Sequence, residues 1–410
     1  MSKPVILTGL RTNAGYHLGN YLGAILPMVK LQKEHLGEYQ INMFAPDLHS
    51  FTSDTDHKML YNQTMDNLKV FVASGMPIYH PEFYIYRQSY IPAHSELTVI
   101  LNNFAYFGEL NRMIQFKDKK KQEFEKQLEY VDTHEVKRLF DKEYGEKFEV
   151  LKNIDPSKLT KSEFQVILAK LEHLKSLVTI REKQITEAGE ASVATAGLFD
   201  YPVLMASDIL LYGALFVPVG EDQRQHLELT RDLGIRMNNK FGELFTIPED
   251  WKNQLKFLHK LEGTRIRSLR NPEKKMSKSI EDPSGTIQLS DTPDEATKKV
   301  KSAETDSIGV INWNWEAQPG ITNLLQIYEL LSGKSHDEVL AEWVGKERYG
   351  DLKSATAEQV AVFLDQFHAN LAAIDEERLQ QKLDESEAKM TVVANETLLR
   401  VQKAVGLRRA

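Results

Sequence analysis

The sequence predicts an α/β fold: a doubly wound parallel sheet, interrupted by a helical hairpin and followed by an all-helical C-terminal domain. Three observations carry that prediction. Short β-type runs, one opening at Val5 and the others at Ile41 to Ala45 and Phe83 to Tyr86, alternate with longer segments of helical periodicity. From about Asp118 to Ala188 the texture changes to Lys/Glu-rich helix. Beyond about Thr286 no strand–helix alternation remains.

The first run passes through Leu10-Arg11-Thr12-Asn13-Ala14-Gly15-Tyr16 into His17-Leu18-Gly19-Asn20, which reads as strand, loop and helix start. Glycine lets a phosphate or a sugar approach the backbone, and the N–H groups of a helix start favour anions. The turn therefore suggests nucleotide binding, with an ordinary polar His17 as the bland alternative. Helical periodicity runs from Leu18 to Leu36, stops at Gly37, and is expected to kink at Pro27. A second helix runs from about Asp56 to Gly75, and Pro92 marks the start of another. In doubly wound sheets ligands bind beyond the carboxyl ends of strands, where the His17 turn lies.

In the insertion, Thr160 to Glu163 resembles a capping box, Phe164, Ile167, Leu171, Leu174 and Val178 line one helix face, and Asp155-Pro156 separates two halves. The α/β pattern resumes at Leu198 to Tyr212. There Asp208 sits in an apolar helical run, a placement that requires a partner for its carboxylate. A strand is expected over Leu215 to Val219, with Gly220-Glu221-Asp222-Gln223 opening a helix. The expected boundaries are 1–117 and 189–285 for the two halves of a Rossmann-like catalytic domain, 118–188 for the insertion, and 286–410 for the helical domain.

The 410 residues suffice for two or three cores, and the net charge of −8 argues against a non-specific nucleic-acid coat. With no cysteine, disulfides and thiolate chemistry are excluded, which fits a reducing compartment. Met1 to Pro4 lead into a strand without a charged-then-apolar leader, and no apolar run approaches the ~20 residues of a membrane span. The expectation is a soluble, cytoplasmic protein. Lys275-Met276-Ser277-Lys278-Ser279, between Pro272 and Pro283, suits a clamp whose ammonium groups neutralise charge on a leaving pyrophosphate.

The His17 turn and the Lys275–Ser279 loop together resemble the two signature motifs of class I aminoacyl-tRNA synthetases. Phe107 to Lys117, Tyr201 to Tyr212 and Val217 to His226 narrow the resemblance to the bacterial tryptophanyl group. It covers nearly the whole chain outside 118–188. The resemblance implies that ATP is held by His17, Gly19, Asn20, Gly220, Glu221, Asp222, Ile266 and Lys275 to Ser279, with Lys119, Lys275 and Lys278 on the triphosphate. Arg11, Thr12 and Asn13 are expected on ATP too, as a hypothesis about this chain's own loop, in which the fixed charge of Arg11 contacts phosphate. It implies tryptophan contacts at Leu7, Gly9, His49, Tyr201, Met205, Asp208, Val217, Val219 and Gln223, with Asp208 accepting the indole N–H. Mg²⁺ would be carried by the nucleotide, with no protein metal site. The implied partners are L-tryptophan, ATP and tRNA(Trp), whose anticodon end would reach the C-terminal helices; the implied assembly is a homodimer. Lys298, Lys299, Lys301, Arg408 and Arg409 are candidate phosphate contacts, each with solvated charge as the bland alternative.

One departure stands out. The family's opening loop usually reads Gly-Ile/Val-Gln/Arg-Pro-Ser/Thr-Gly, and here it is Gly9-Leu10-Arg11-Thr12-Asn13-Ala14. Competing readings are a tyrosine-specific synthetase, a catalytically dead synthetase-like RNA-binding protein, and a small-molecule nucleotidyltransferase.

Overall fold

The computed structural model describes residues 3–10, 15–52, 55–129, 195–258, 265–277 and 283–409. Four strands, β1 (Val5–Gly9), β2 (Gln40–Ala45), β3 (Phe83–Arg87) and β4 (Ala214–Phe216), form one parallel sheet in the order β3-β2-β1-β4. Nearly every strand residue is buried, the pattern of a sheet covered on both faces. The chain steps outward from β1 to β2 to β3, then returns to add β4 on the far side of β1. That reversal places a topological switch point, the favoured ligand crevice, beyond the ends of β1 and β4.

After β1, helix α1 (Leu18–Asn20) passes through a π-turn (Tyr21–Ile25) into α2 (Leu26–His35). Pro27 lies in the first turn of α2, where a missing N–H is tolerated, so the irregularity lies before the proline. Helix α3 (Leu60–Ala73) starts later than its sequence pattern suggested and closes near Gly75, whose φ of +85° favours glycine. Helix α4 (Ala93–Asn102) begins after Pro92. The second unit holds α5 (Phe107–Asn111) and α6 (Ile114–Glu129), with Phe199 packed 4.7 Å from Phe107 and 5.2 Å from Phe116. The hairpin expected over 118–188 lies mostly outside the described residues.

The chain divides into two compact units, 1–105 with 201–410, and 106–200. Helix α7 (Ala196–Leu210) leads into β4, followed by α8 (Arg224–Phe241) and α9 (Trp251–Leu258). The strand expected over Leu215–Val219 is shorter: Pro218 has no N–H for a ladder, and Gln254 Oε1 accepts from Val217 N at 3.0 Å instead.

The C-terminal helices are α10 (Pro293–Lys301), α11 (Pro319–Ser332), α12 (His336–Trp343), α13 (Tyr349–Ala372) and α14 (Glu376–Ala404). They share the first unit with the sheet. Leu324, Val360, Leu379 and Leu383 join Ile41, Met43, Phe83 and Ile85 in one apolar core, and α14 lies along β3 and α4. The buried stripe of α14, Leu379, Leu383, Met390, Ala394 and Val401, is what the sheet side covers. Among the described residues no helix is long and apolar enough to cross a membrane.

Candidate active site

The His17 turn and the lysine loop meet. His17 caps α1: its Nδ1 accepts from Asn20 N, and Asn20 Oδ1 accepts from His17 N, both at 3.2 Å. The segment after the lysine loop runs antiparallel to this turn, with Leu18 N donating to Ile287 O at 2.8 Å and Leu289 N to Tyr16 O at 3.0 Å. Gly19 allows the closest approach. A Cβ there would lie 3.1 Å from His17 Cε1 and Nδ1 and 3.2 Å from Met276 Cβ. Two stretches more than 250 positions apart thus pack closely at residue 19, where a side chain would make the neighbours give by a few tenths of an ångström.

The loop's described part is a hairpin. Met276 N donates to Ile266 O at 3.0 Å and Ser268 N to Lys274 O at 2.9 Å. Asn323 on α11 holds its outer strand, accepting from Arg267 N at 2.8 Å and donating to Arg267 O at 3.0 Å. Thr286 Oγ1 donates to Ser277 O at 3.0 Å. Ile266 and Met276, assigned to ATP by resemblance, have side chains buried in the core. What they can offer a ligand is backbone, and their side chains anchor the loop. Lys275 is exposed beside them.

On the amino-acid side, Asp208 is 1% exposed and has three donors. Gln88 Nε2 donates to Oδ1 at 2.7 Å, His94 Nδ1 lies 2.6 Å from Oδ1, and His49 Nε2 lies 2.9 Å from Oδ2. Burial alone would push this carboxyl up; the hydrogen bonds and charge of His49 and His94 hold it down at about 2. A carboxylate offers about four acceptor positions, so one remains on Oδ2. Behind it, His94 Nε2 meets the Tyr212 hydroxyl at 2.9 Å, and Ser207 Oγ donates to His94 O at 2.8 Å. Burial pushes the Tyr212 phenol well above its usual range, which keeps it a donor.

A second chain of bonds crosses the site. Gln223 Nε2 donates to Asp222 Oδ2 at 2.8 Å, and its Oε1 accepts from His226 Nδ1 at 2.8 Å. That assigns the His226 proton to Nδ1 and leaves Nε2 to accept from the Tyr201 hydroxyl, 3.1 Å away. Burial, with the Asp222 charge, raises the Tyr201 phenol, so it stays protonated. Gly220 caps the turn, and a Cβ on it would meet Asp222 Oδ1 at 2.6 Å. Gly9 likewise admits the Phe44 ring, whose Cζ would lie 3.0 Å from a Cβ.

The structure thus gathers His17, Gly19, Asn20, Ile266, Lys275, Met276 and Ser277 around one joint. It gathers His49 and Asp208 around a second, and Tyr201, Asp222 and Gln223 around a third. Leu7 is buried in the middle of β1 and Val217 just past β4, while Met205, Val219 and Glu221 are more accessible. Lys119 is carried by α6 in the second unit. Arg11, Thr12, Asn13, Lys278 and Ser279 lie outside the described residues. Lys299 already has protein partners: its ammonium bonds Thr286 O at 3.0 Å and Asp291 Oδ2 at 2.5 Å, pinning α10 to the preceding turn. Sequence reasoning missed Gln88, His94 and His226. The need for a partner at Asp208 was visible; nothing local said which residues would supply it.

A model of the tRNA synthetases class I (W and Y) matches residues 1–136 and 146–365. The chain is 37% identical over 402 residues to the tryptophan–tRNA ligase of Caldanaerobacter subterraneus subsp. tengcongensis, covering 98% of each. The tryptophanyl-tRNA synthetase structure from Mycoplasma pneumoniae superposes with a TM-score of 0.68 at 28% identity, covering 100% of this chain and 99% of that one. A Campylobacter jejuni tryptophanyl-tRNA synthetase, solved with ADP and tryptophan, has the same fold (TM-score 0.65, 24% identity, 98% and 99% coverage).

Proposed function

The chain belongs to the class I tRNA synthetases of the W and Y family, and on that premise we propose how its site performs the work of a tryptophan–tRNA ligase. The tryptophan carboxylate attacks the α-phosphate of ATP: an O–P bond forms, and the bond to the β-phosphate breaks. The products are tryptophanyl-adenylate and pyrophosphate. The 2′-hydroxyl of the terminal tRNA adenosine then displaces AMP. Neither step calls for a side-chain nucleophile, so positioning and charge stabilisation carry the chemistry.

The observation that supports this most is the joint at Gly19 and Met276, which sets the lysine loop against the helix start that follows β1. Asn20 and Gly19 present backbone to the nucleotide, and Lys275 and Lys278 neutralise the departing pyrophosphate. Mg²⁺ would come with ATP, held mainly by phosphates and water. Asp208 takes the indole N–H on its remaining Oδ2 position, with Val217, Val219 and Met205 as apolar walls. Tyr201 and Gln223 hold the ammonium and carboxylate end, and His49 bridges the two.

The C-terminal helices receive the tRNA anticodon end. A homodimer is proposed on the family resemblance. The proposed location is the cytoplasm. Amino-acid-dependent ATP–pyrophosphate exchange tests the reading. Exchange with tryptophan and not tyrosine is expected; tyrosine-dependent exchange overturns the indole assignment, and no exchange with any amino acid overturns the enzyme.

A further inference from the structure

Arg87, the last residue of β3, is 2% exposed and surrounds one carboxylate, Glu387 on α14, with three donors. Its backbone N donates to Oε1 at 3.1 Å, its Nε to Oε1 at 2.7 Å and its Nη2 to Oε2 at 2.9 Å. Asp384 stands 3.8 Å from Nη2, and the guanidinium stacks 3.6 Å above the Tyr90 ring. A buried ion pair is weak evidence for stability, because well-packed apolar residues often do as well. What a forked pair adds is geometry, and here it also captures the strand's last N–H.

The next residue is Gln88. Its Nε2 donates to Asp208 Oδ1 at 2.7 Å, and its Oε1 accepts from Leu48 N at 3.2 Å, the residue before His49. Gln88 therefore ties Asp208 to the turn that carries His49. The same helix α14 also reaches the other donor's element: Gln402 Nε2 donates to Glu96 on α4, two residues from His94. One C-terminal helix thus grips both elements that fix Oδ1 of Asp208.

We propose that Glu387, acting through Arg87 and Gln88, is a positioning residue for tryptophan recognition, holding Asp208 so that its remaining acceptor position faces the indole. This rests on the proposed role of Asp208. Saturating Oδ1 with two donors from separately clamped elements leaves the carboxylate no alternative rotation. Loosening Glu387 frees the Arg87–Gln88 backbone and lets that orientation spread, with no direct effect on the nucleotide joint at Gly19 and Met276.

The test is tryptophan-dependent ATP–pyrophosphate exchange on the full chain, with tryptophan and ATP varied separately. Glu387→Gln should raise the KM for tryptophan about tenfold and change that for ATP less than about twofold. In a Gln88→Ala background the same change should add little, because its route is already cut. Equal effects on both KM values, or a full additional effect on Gln88→Ala, overturn the proposal. Should Glu387→Gln fail to fold, Glu387→Asp keeps the charge one methylene back and should give a smaller rise confined to tryptophan; a rise shared with ATP overturns it. Asp208→Asn separates the two levels. If it leaves the tryptophan KM unchanged, the indole reading falls and this inference with it. If it raises that KM while Glu387→Gln does not, this inference alone falls.

Discussion

Replacing Asp208 with asparagine removes one oxygen's charge and puts an N–H2 donor among donors. The parent carboxyl is held at about 2, against an ordinary 3.8, by His49 and His94, although burial opposes this. At ~1.4 kcal/mol per tenfold change in proton affinity, that difference corresponds to about 2 kcal/mol of folding stability at neutral pH. A carboxyl lowered in the folded state contributes stability that is present above its unfolded pKa and is lost as pH falls through the folded one. The stability gap between parent and variant should therefore be widest above about pH 5 and narrow from about pH 4 toward 2. Urea unfolding across that range reads it. For binding, Asn can still accept from Gln88 and His94 on its oxygen, and His49 can answer the new N–H2 by changing tautomer. An indole N–H cannot. One unpaired N–H inside the site costs about 1–3 kcal/mol, so kcat/KM for tryptophan should fall on the order of 10- to 100-fold in pyrophosphate exchange. A tryptophan KM within about twofold of the parent, with an unchanged unfolding midpoint, would refute the reasoning.

Other substitutions probe the remaining joints. Gly19→Ala places a Cβ 3.1 Å from the His17 ring and 3.2 Å from Met276 Cβ. The helix-propensity gain of ~1 kcal/mol partly offsets ~1–3 kcal/mol of overpacking. Stability should therefore shift by less than about 2 kcal/mol while the KM for ATP rises on the order of tenfold; an unchanged KM for ATP would show that the joint does not position nucleotide. Gln254→Leu strands Val217 N, removes the amide's donor from Glu249 O, and leaves Leu215 O only the bond it accepts from Glu249 N at 2.9 Å. A loss of about 2–4 kcal/mol in urea unfolding is expected, with a higher KM for tryptophan because Val217 and Val219 lose their anchor; unchanged unfolding would contradict it. Arg11→Gln should raise the KM for ATP more than that for tryptophan if the guanidinium contacts phosphate. Equal effects would sink that idea.

Much of the architecture was legible in order along the chain. Strand and helix periods are local, and so are a glycine turn after an apolar run and a lysine loop between prolines. Hence the parallel sheet, the His17 turn at the end of β1 and the entry into α4 could be read without coordinates. The puzzle at Asp208 was legible too, since an ionised carboxylate in an apolar helix must have donors.

The answer was not. Its donors come from positions 159, 120 and 114 residues away, and no local period encodes a contact of that span. Packing alone decided that Met276 is core rather than surface and that Lys299 is bonded to Asp291. It also decided that the C-terminal helices share a core with the sheet. An amphipathic stripe on α14 declares that it must be buried; which surface buries it depends on how the whole chain closes. The sequence alone determined which elements form and which side chains carry chemistry. Tertiary structure decided which of them meet, because partners so far apart are chosen by the burial of apolar faces and by the pairing of every polar group those faces enclose.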